Sequence, residues 1–322
     1  MSTKICFCEF LIMLLYIIAQ KRFMASGERP RLVKVLAFDF DKTCTKGMIL
    51  DIYRAREDYQ NEVGLRKILD EEWQRLEKFY LAISAKVLGP ILNDANAMSP
   101  QFDKAGLRHF LKEIQAIDTV AADELIKSCI LRGITAAGIQ DFAEKVELMP
   151  ELLNVLKTLK VLNLTFHVVS LNFSKKLIQS ALNQAGGNLP LDVHSNELEF
   201  KDGICTGNMD KKFLSAFDKE VLLVKIVQNA DKDSGVSVYI GDSFTDLLAL
   251  LEADIGLVIG DSKTLHNVCN KFGIHVVPLC YWNYARLSEK NAESRPVLFS
   301  VKSWVEIKNF VVSFNKQSPK DD

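Results

Sequence analysis

From about residue 31 onward, short apolar runs alternate along the chain with segments of helical period. The runs are VKVLAF (33–38), TFHVVS (165–170), VSVYIG (236–241), IGLVIG (255–260) and IHVVPL (274–279). They are short, rich in β-branched residues and free of regular polar alternation, as strands buried on both faces of a parallel sheet are. Helical patterns lie between them at 150-PELLNVLKTLK-160, 174-SKKLIQSALNQAG-186, 218-DKEVLLVKIVQNA-230 and 244-FTDLLALLEAD-254. The alternation predicts an α/β protein with a Rossmann-like, doubly wound parallel sheet.

One interval breaks the rhythm. From roughly 46 to 146 there is no strand-like run, only amphipathic stretches such as 65-LRKILDEEWQRLEKFYLAISAKVL-88 and 105-AGLRHFLKEIQAI-117. An ordinary crossover needs far fewer residues, so the interval predicts an α-helical cap domain inserted after the first strand. A small hairpin is expected at 196-NELEFKDGICTGN-208, turning at Asp202-Gly203. The expected organisation is an N-terminal extension (1–30), a catalytic core (31–45 and 147–314), the cap (46–146) and a polar tail (315–322).

Composition narrows the function classes. Hydrophobic residues make up 48% of the 322 and charged residues 25%, ordinary for a globular protein. Forty Lys and Arg against 41 Asp and Glu give a net charge of −1, without the basic surplus that nucleic-acid binding uses. Seven scattered cysteines without CxxC spacing read as reduced thiols in a reducing compartment. The run 10-FLIMLLYIIA-19 lies between Lys4 and Lys21-Arg22. It is too short to span a bilayer, but its length suits the hydrophobic part of a signal peptide, and Met24 offers an alternative start. The sequon Asn172-Phe173-Ser174 adjoins the residues singled out below, where a glycan would obstruct chemistry. The expectation is therefore a cytoplasmic protein, with secretion or membrane anchoring through residues 10–19 as the alternative. No segment could build the helix bundle of an ion pump.

In open α/β sheets ligands bind beyond the carboxyl ends of the strands. The first run ends in Asp39 within 35-VLAFDFDKTCT-45, the second ends in Ser170, and VSVYIG leads into Asp242. Three separate strands would thus deliver polar groups to one crevice. Taken in order, Asp39-Phe40-Asp41-Lys42-Thr43, Ser170, a lysine and 241-GDSFTD-246 resemble the motifs of the haloacid dehalogenase superfamily, over about residues 31 to 280.

The resemblance implies a phosphatase that works through an aspartyl-phosphate. A carboxylate at the strand end, Asp39, would attack phosphorus. Asp41, two residues later, would protonate the leaving oxygen and then activate water. Ser170 and a lysine would neutralise the equatorial oxygens; Lys219, at the start of its helical segment, is favoured over Lys225, nearly two turns on. Mg²⁺ is the implied cofactor, held by Asp39 and Asp242, by the backbone carbonyl of Asp41 and, directly or through water, by Asp246. Thr43, Asn172 and Phe173 are placed with the substrate, Phe173 as a ring platform at the crevice mouth. The sequence Asp41-Lys42-Thr43 also resembles the phosphorylated loop of ion-pumping ATPases, but there the aspartate of that triplet is the nucleophile. Here the strand-end register gives that place to Asp39. Cys44 reads as a small packing residue.

Segments 237-SVYIGDSFTDLLALLEADIGLVI-259, 272-FGIHVVPL-279, 298-LFSVKSWVEIKNF-310 and, more weakly, 132-RGITAAGIQDFAEKVEL-148 are similar to the phosphatase half of the plant bifunctional thiamine-biosynthesis proteins. In those, a TenA-like domain is fused to a domain that dephosphorylates thiamine monophosphate. The implied partner is a small phosphorylated metabolite, and thiamine monophosphate is the leading candidate. Nucleoside monophosphates and phosphoserine-like esters are alternatives, as is a catalytically silent binding protein. Tyr53, Tyr59, Trp73 and Tyr80 could stack on a flat ring, although such residues more often fill a core.

Overall fold

Among the residues described by the computed structural model (32–93, 99–184, 189–230, 235–282 and 295–316), seven strands form one parallel sheet. Its order is β3-β2-β1-β6-β7-β9-β8. The strands are β1 (Leu32–Phe38), β2 (Thr165–Val169), β3 (Leu191–His194), β6 (Gly235–Gly241), β7 (Ile255–Ile259), β8 (His275–Pro278) and β9 (Val297–Val301). β4 (Leu198–Lys201) and β5 (Ile204–Met209) form the antiparallel hairpin at Asp202-Gly203. The apolar runs thus became β1, β2, β6, β7 and β8, and β7 is buried at every position. The expectations for residues 1–30 and 317–322 lie outside the described residues.

The sheet is wound in two directions. From β1 the chain moves outward through β2 to β3, and from β6 it moves the other way through β7. β1 and β6 are neighbours, paired from Leu32–Gly235 to Phe38–Ile240. The switch point between the two halves therefore lies at the carboxyl ends of β1 and β6, where such sheets bind ligands.

The interval between β1 and β2 is helical throughout its regular elements: α1 (Glu57–Asn61), α2 (Val63–Asn93), α3 (Lys104–Ser128), α4 (Ala136–Ala143) and, leading back into the sheet, α5 (Leu152–Lys160). The sheet is further flanked by α6 (Lys175–Asn183), α7 (Ala216–Asn229), α8 (Leu247–Glu252), α9 (Lys263–Phe272) and α10 (Trp304–Lys316). The insertion shares its apolar side chains with the sheet. Leu107, Phe110, Leu111 and Ile114 of α3 join Val35, Tyr239 and Leu265 in one buried cluster. Arg108 reaches Glu220 on α7 at 2.7 Å, and Asp103 N donates to Phe272 O at 3.0 Å. Among the described residues no helix is long and apolar enough to cross a membrane.

Two strands lie outside the expected runs: β9, the apolar run Val-Leu-Phe-Ser-Val between β7 and β8, and β3. β3 is four residues, Leu-Asp-Val-His, of which only Val193 is buried, so an edge position with polar side chains hides it from an apolar-run search.

Candidate active site

Beyond Phe38 the chain coils tightly. Asp39 N donates to Ile240 O at 3.0 Å, which ties it to β6, and Cys44 N donates to Phe40 O at 2.8 Å. Lys42 takes a left-handed conformation, φ +57°, and its N–H donates to Thr45 Oγ1 at 3.0 Å. Cys44 is fully buried, and its thiol donates to Asp39 O at 3.3 Å. The five described cysteines are free thiols.

This coil delivers Asp39 to a lysine. Lys219, on the first turns of α7, is 1% exposed; its Nζ lies 3.1 Å from Asp39 Oδ1 and 2.7 Å from Asp246 Oδ1. Asp246, fully buried, also accepts from Tyr239 OH at 2.9 Å and from Ser243 N at 3.1 Å. Asp39, Asp242 and Asp246 each offer an oxygen, all within 4.8 Å of one another. Lys225 is exposed. Thr43, fully buried, directs its hydroxyl to Asp242 Oδ1 at 3.4 Å, and its carbonyl accepts from Trp304 Nε1 at 2.8 Å.

Asp242 and Asp246, four residues apart, do not meet along one α-helical face. Ser243 caps a 3₁₀ turn at Phe244–Asp246, and α8 starts only at Leu247. The Asp246 side chain folds back over Gly241, where an added Cβ would sit 2.5 Å from its carboxyl carbon. Glycine at 241 is therefore what lets Asp246 reach Lys219.

Three carboxylates here share one ammonium. Burial pushes Asp39 far up from the usual carboxylate range; Lys219 opposes this, while Asp246, Asp242 and Asp41 add to it. Burial and Asp246 push Asp242 up to about 7. Burial also works against the Lys219 charge, but Asp246 and Asp39 outweigh it and hold the ammonium above its ordinary range. The two shifts compete for one interaction, and the direct 2.7 Å contact with Asp246 keeps Lys219 charged. The three carboxyls are more than one ammonium can neutralise, and their crowded hard oxygens are the donor set that suits Mg²⁺.

Asp41 stands apart from this cluster, fixed by two donors. Ile49 N reaches its Oδ1 at 2.7 Å and Asn172 Nδ2 its Oδ2 at 3.0 Å. Burial nonetheless raises its pKa, with the bonds from Asn172 and Ile49 opposing. Asn172 is 2% exposed and also donates to Ile49 O at 3.0 Å, so this sequon asparagine is built into the interior. Ser170 is buried; its N–H donates to His194 O and its hydroxyl accepts from Asn172 N at 3.2 Å. Phe173 packs against the main hydrophobic cluster.

Two features escaped the sequence reading. Tyr239 is fully buried inside an apolar run, and only its hydroxyl contact reveals its part in the cluster. The other is a cavity of about 480 Å³ lined by Met48, Leu50, Asp51, Tyr53, Arg54, Asp70, Trp73, Gln74 and Glu77. Trp73 stacks on Tyr53 with ring centroids 5.4 Å apart at 29°, and Tyr53 and Tyr59 both donate to Asp70 Oδ1. Trp73 Nε1 donates to Glu77 at 2.9 Å. Tyr80 lies elsewhere, donating to Asp118 at 3.1 Å.

The doubly wound sheet and the buried Asp–Lys–Asp cluster at its switch point define a hydrolase, and residues 33–254 match the haloacid dehalogenase-like hydrolase family. The chain belongs to that family. It is 34% identical over 307 residues to the mitochondrial bifunctional TH2 protein of Arabidopsis thaliana, covering 87% of this chain and 49% of that protein. It is 31% identical over 141 residues to the phosphoserine phosphatase SerB2 of Mycobacterium tuberculosis, covering 44% of this chain and 33% of that one. The chain thus spans half or less of the length of these relatives. Among solved structures it overlays a phosphoserine phosphatase carrying a phospho-aspartyl intermediate analogue, with TM-score 0.45, 16% identity and coverage of 87% and 99%. A cytosolic 5'-nucleotidase IIIB bound to cytidine overlays with TM-score 0.46, 16% identity and coverage of 95% and 90%.

Proposed function

We propose that the protein is a Mg²⁺-dependent phosphomonoesterase that works through an aspartyl-phosphate on Asp39. The observation that carries this reading is Lys219 Nζ, fully buried between Asp39 and Asp246 and beside Asp242. Asp39 attacks the phosphorus of the ester, and the P–O bond to the alcohol breaks. Asp41, whose carboxyl burial raises above the usual carboxylate range, donates a proton to the departing oxygen. It then takes a proton from the water that attacks the aspartyl-phosphate, which releases inorganic phosphate and restores Asp39. Ile49 N and Asn172 hold Asp41 in one orientation for both proton transfers. Lys219 and Ser170 offer positive charge and a hydroxyl to the equatorial phosphoryl oxygens. Asp39, Asp242 and the Asp41 carbonyl would hold Mg²⁺, which supplies charge neutralisation at the phosphoryl group. Asp246, whose oxygens already accept from Lys219, Tyr239 and Ser243, positions Lys219 and orients water around the ion.

The substrate we assign is a small phosphate ester with a flat cationic ring, with thiamine monophosphate as the leading candidate. The cavity supports this, since the Tyr53–Trp73 stack and the carboxylates of Asp51, Asp70 and Glu77 surround it with a single guanidinium, Arg54. Aromatic faces and carboxylates together favour a cation. The segment 48–51 links cavity and chemistry, because Ile49 is hydrogen bonded to Asp41 and Asn172. In this reading residues 46–146 act as a cap over the crevice, and the cytoplasm is the assigned compartment.

The test is a screen of phosphorylated metabolites with and without Mg²⁺. Thiamine monophosphate should give the highest kcat/KM, and Trp73→Ala should raise its KM more than that of an aryl phosphate. A clear preference for phosphoserine or nucleoside monophosphates would overturn the substrate assignment. Loss of Mg²⁺ dependence would overturn the chemistry.

A further inference from the structure

Away from the carboxylate cluster, β2 and β3 bring a second set of ligand-type side chains together. The parallel register pairs His167 with Asp192 and Val169 with His194. Residues two apart on a strand share a face, so His167, Asp192 and His194 stand on one side of the sheet. Asp192 Oδ2 lies 3.7 Å from His167 Nδ1 and 3.0 Å from His194 Nε2. All three donor atoms lie within 4.8 Å of one another, and the two rings stack with centroids 5.8 Å apart at 23°.

Both facing nitrogens are buried and neither has a hydrogen-bond partner. The Asp192 oxygen is close enough to His194 but out of line for a hydrogen bond. Buried polar atoms are almost always satisfied, so two orphaned nitrogens converging beside one carboxylate call for a ligand.

We propose that His167, Asp192 and His194 form a second cation site, selective for a divalent transition-metal ion such as Zn²⁺. Two imidazoles and one carboxylate suit Zn²⁺ or Co²⁺, whereas Mg²⁺ prefers all-oxygen surroundings. Burial holds both imidazoles below the usual histidine range, with His194 adding to the effect at His167 and Lys175 at His194, against the pull of Asp192. Asp192, with its side chain 58% exposed, gives the ion a way in. An ion here ties the edge strand β3 to β2, and the His194 carbonyl accepts from Ser170 N at 3.0 Å. The site thereby braces the strand behind Ser170.

The test is titration of the full chain with Zn²⁺ and Co²⁺ under saturating Mg²⁺, which occupies the carboxylate cluster. One equivalent should bind, Co²⁺ should give visible absorption bands of an imidazole-ligated ion, and Zn²⁺ should raise Tm. The variant Asp192→Asn, at an exposed position, should keep its metal-free Tm and bind Zn²⁺ at least about tenfold more weakly, since even outer groups of such sites cost that much. The double variant His167→Ala/His194→Ala should lose the Co²⁺ bands, and Asp39→Asn should keep them. The proposal is overturned if no equivalent binds, if Asp192→Asn and the double variant bind as wild type does, or if Asp39→Asn abolishes the bands.

Discussion

Two triads of ligand-type side chains occupy one sheet, and they differ in depth and in donor chemistry. Asp39, Asp242 and Asp246 sit at the switch point, all oxygen, with a buried ammonium among them. His167, Asp192 and His194 sit where β2 meets the edge strand, two nitrogens and one oxygen, with Asp192 facing water. At the centre, burial and mutual repulsion raise Asp39 and Asp242 until a hard divalent cation is the natural counter-charge. At the edge, burial lowers both imidazoles below the usual histidine range, and their nitrogens are softer donors. One sheet thus presents two kinds of site, separated by where the strands place their ends.

The sharpest way to separate the triads is Asp39→Asn. It should lower kcat by on the order of 10⁴-fold or more, as removal of a nucleophile does, with Tm and Zn²⁺ binding at the edge unchanged. Next comes Asp41→Asn, with a loss of roughly 10²–10⁴-fold. With an aryl phosphate, whose leaving group needs no proton, acid quenching should trap phosphorylated enzyme. Absence of that species would remove Asp41 from the second step.

Lys219→Met should act on stability as well as turnover, because it strands buried Asp246 without its cation. Breaking such a pair costs about 3–5 kcal/mol, readable as a urea midpoint that Mg²⁺ partly restores. Tyr239→Phe removes only one donor to the same carboxylate and should cost about 1–3 kcal/mol. If both variants are equally stable, Asp246 is not the anchor of the central triad.

A pH-dependent effect lies outside both triads, at Asp118. Burial pushes its carboxyl up to about 7, against the hydrogen bond from Tyr80. A carboxyl raised on folding contributes stability below its unfolded pKa, and that contribution fades as pH rises through the folded value. Wild-type stability should therefore decline between about pH 4 and pH 7 through this group, and Asp118→Asn should flatten the decline. Urea midpoints across that range measure it; an unchanged slope would show that Asp118 titrates normally.

Much of the fold was legible because its signals are local. The runs that became β1, β2, β6, β7 and β8 are apolar enough to mark strands buried on both faces, and their polar terminal residues mark the crevice. β3 was not, since an edge position with polar side chains leaves no apolar run to find; β9 carries such a run, Val-Leu-Phe-Ser-Val, outside the expected strands. The helical insertion was visible as an interval without strand patterns. That it shares a hydrophobic cluster with the sheet through Leu107, Phe110 and Leu111 depends on contacts between distant residues.

The sequence by itself determined the α/β class, the order of the motifs, and the strand-end positions of Asp39, Ser170 and Asp242. Those follow from periodicity and from chain order, which every residue carries locally. Only the tertiary structure brought Lys219, already favoured over Lys225, to 3.1 Å from Asp39, and decided that Tyr239 completes the shell of Asp246 and that Asn172 clamps Asp41. It alone brought Trp73 onto Tyr53 and set His167 beside His194. The physical reason is the same in each case: the partner lies on another element, and only packing brings the two within reach.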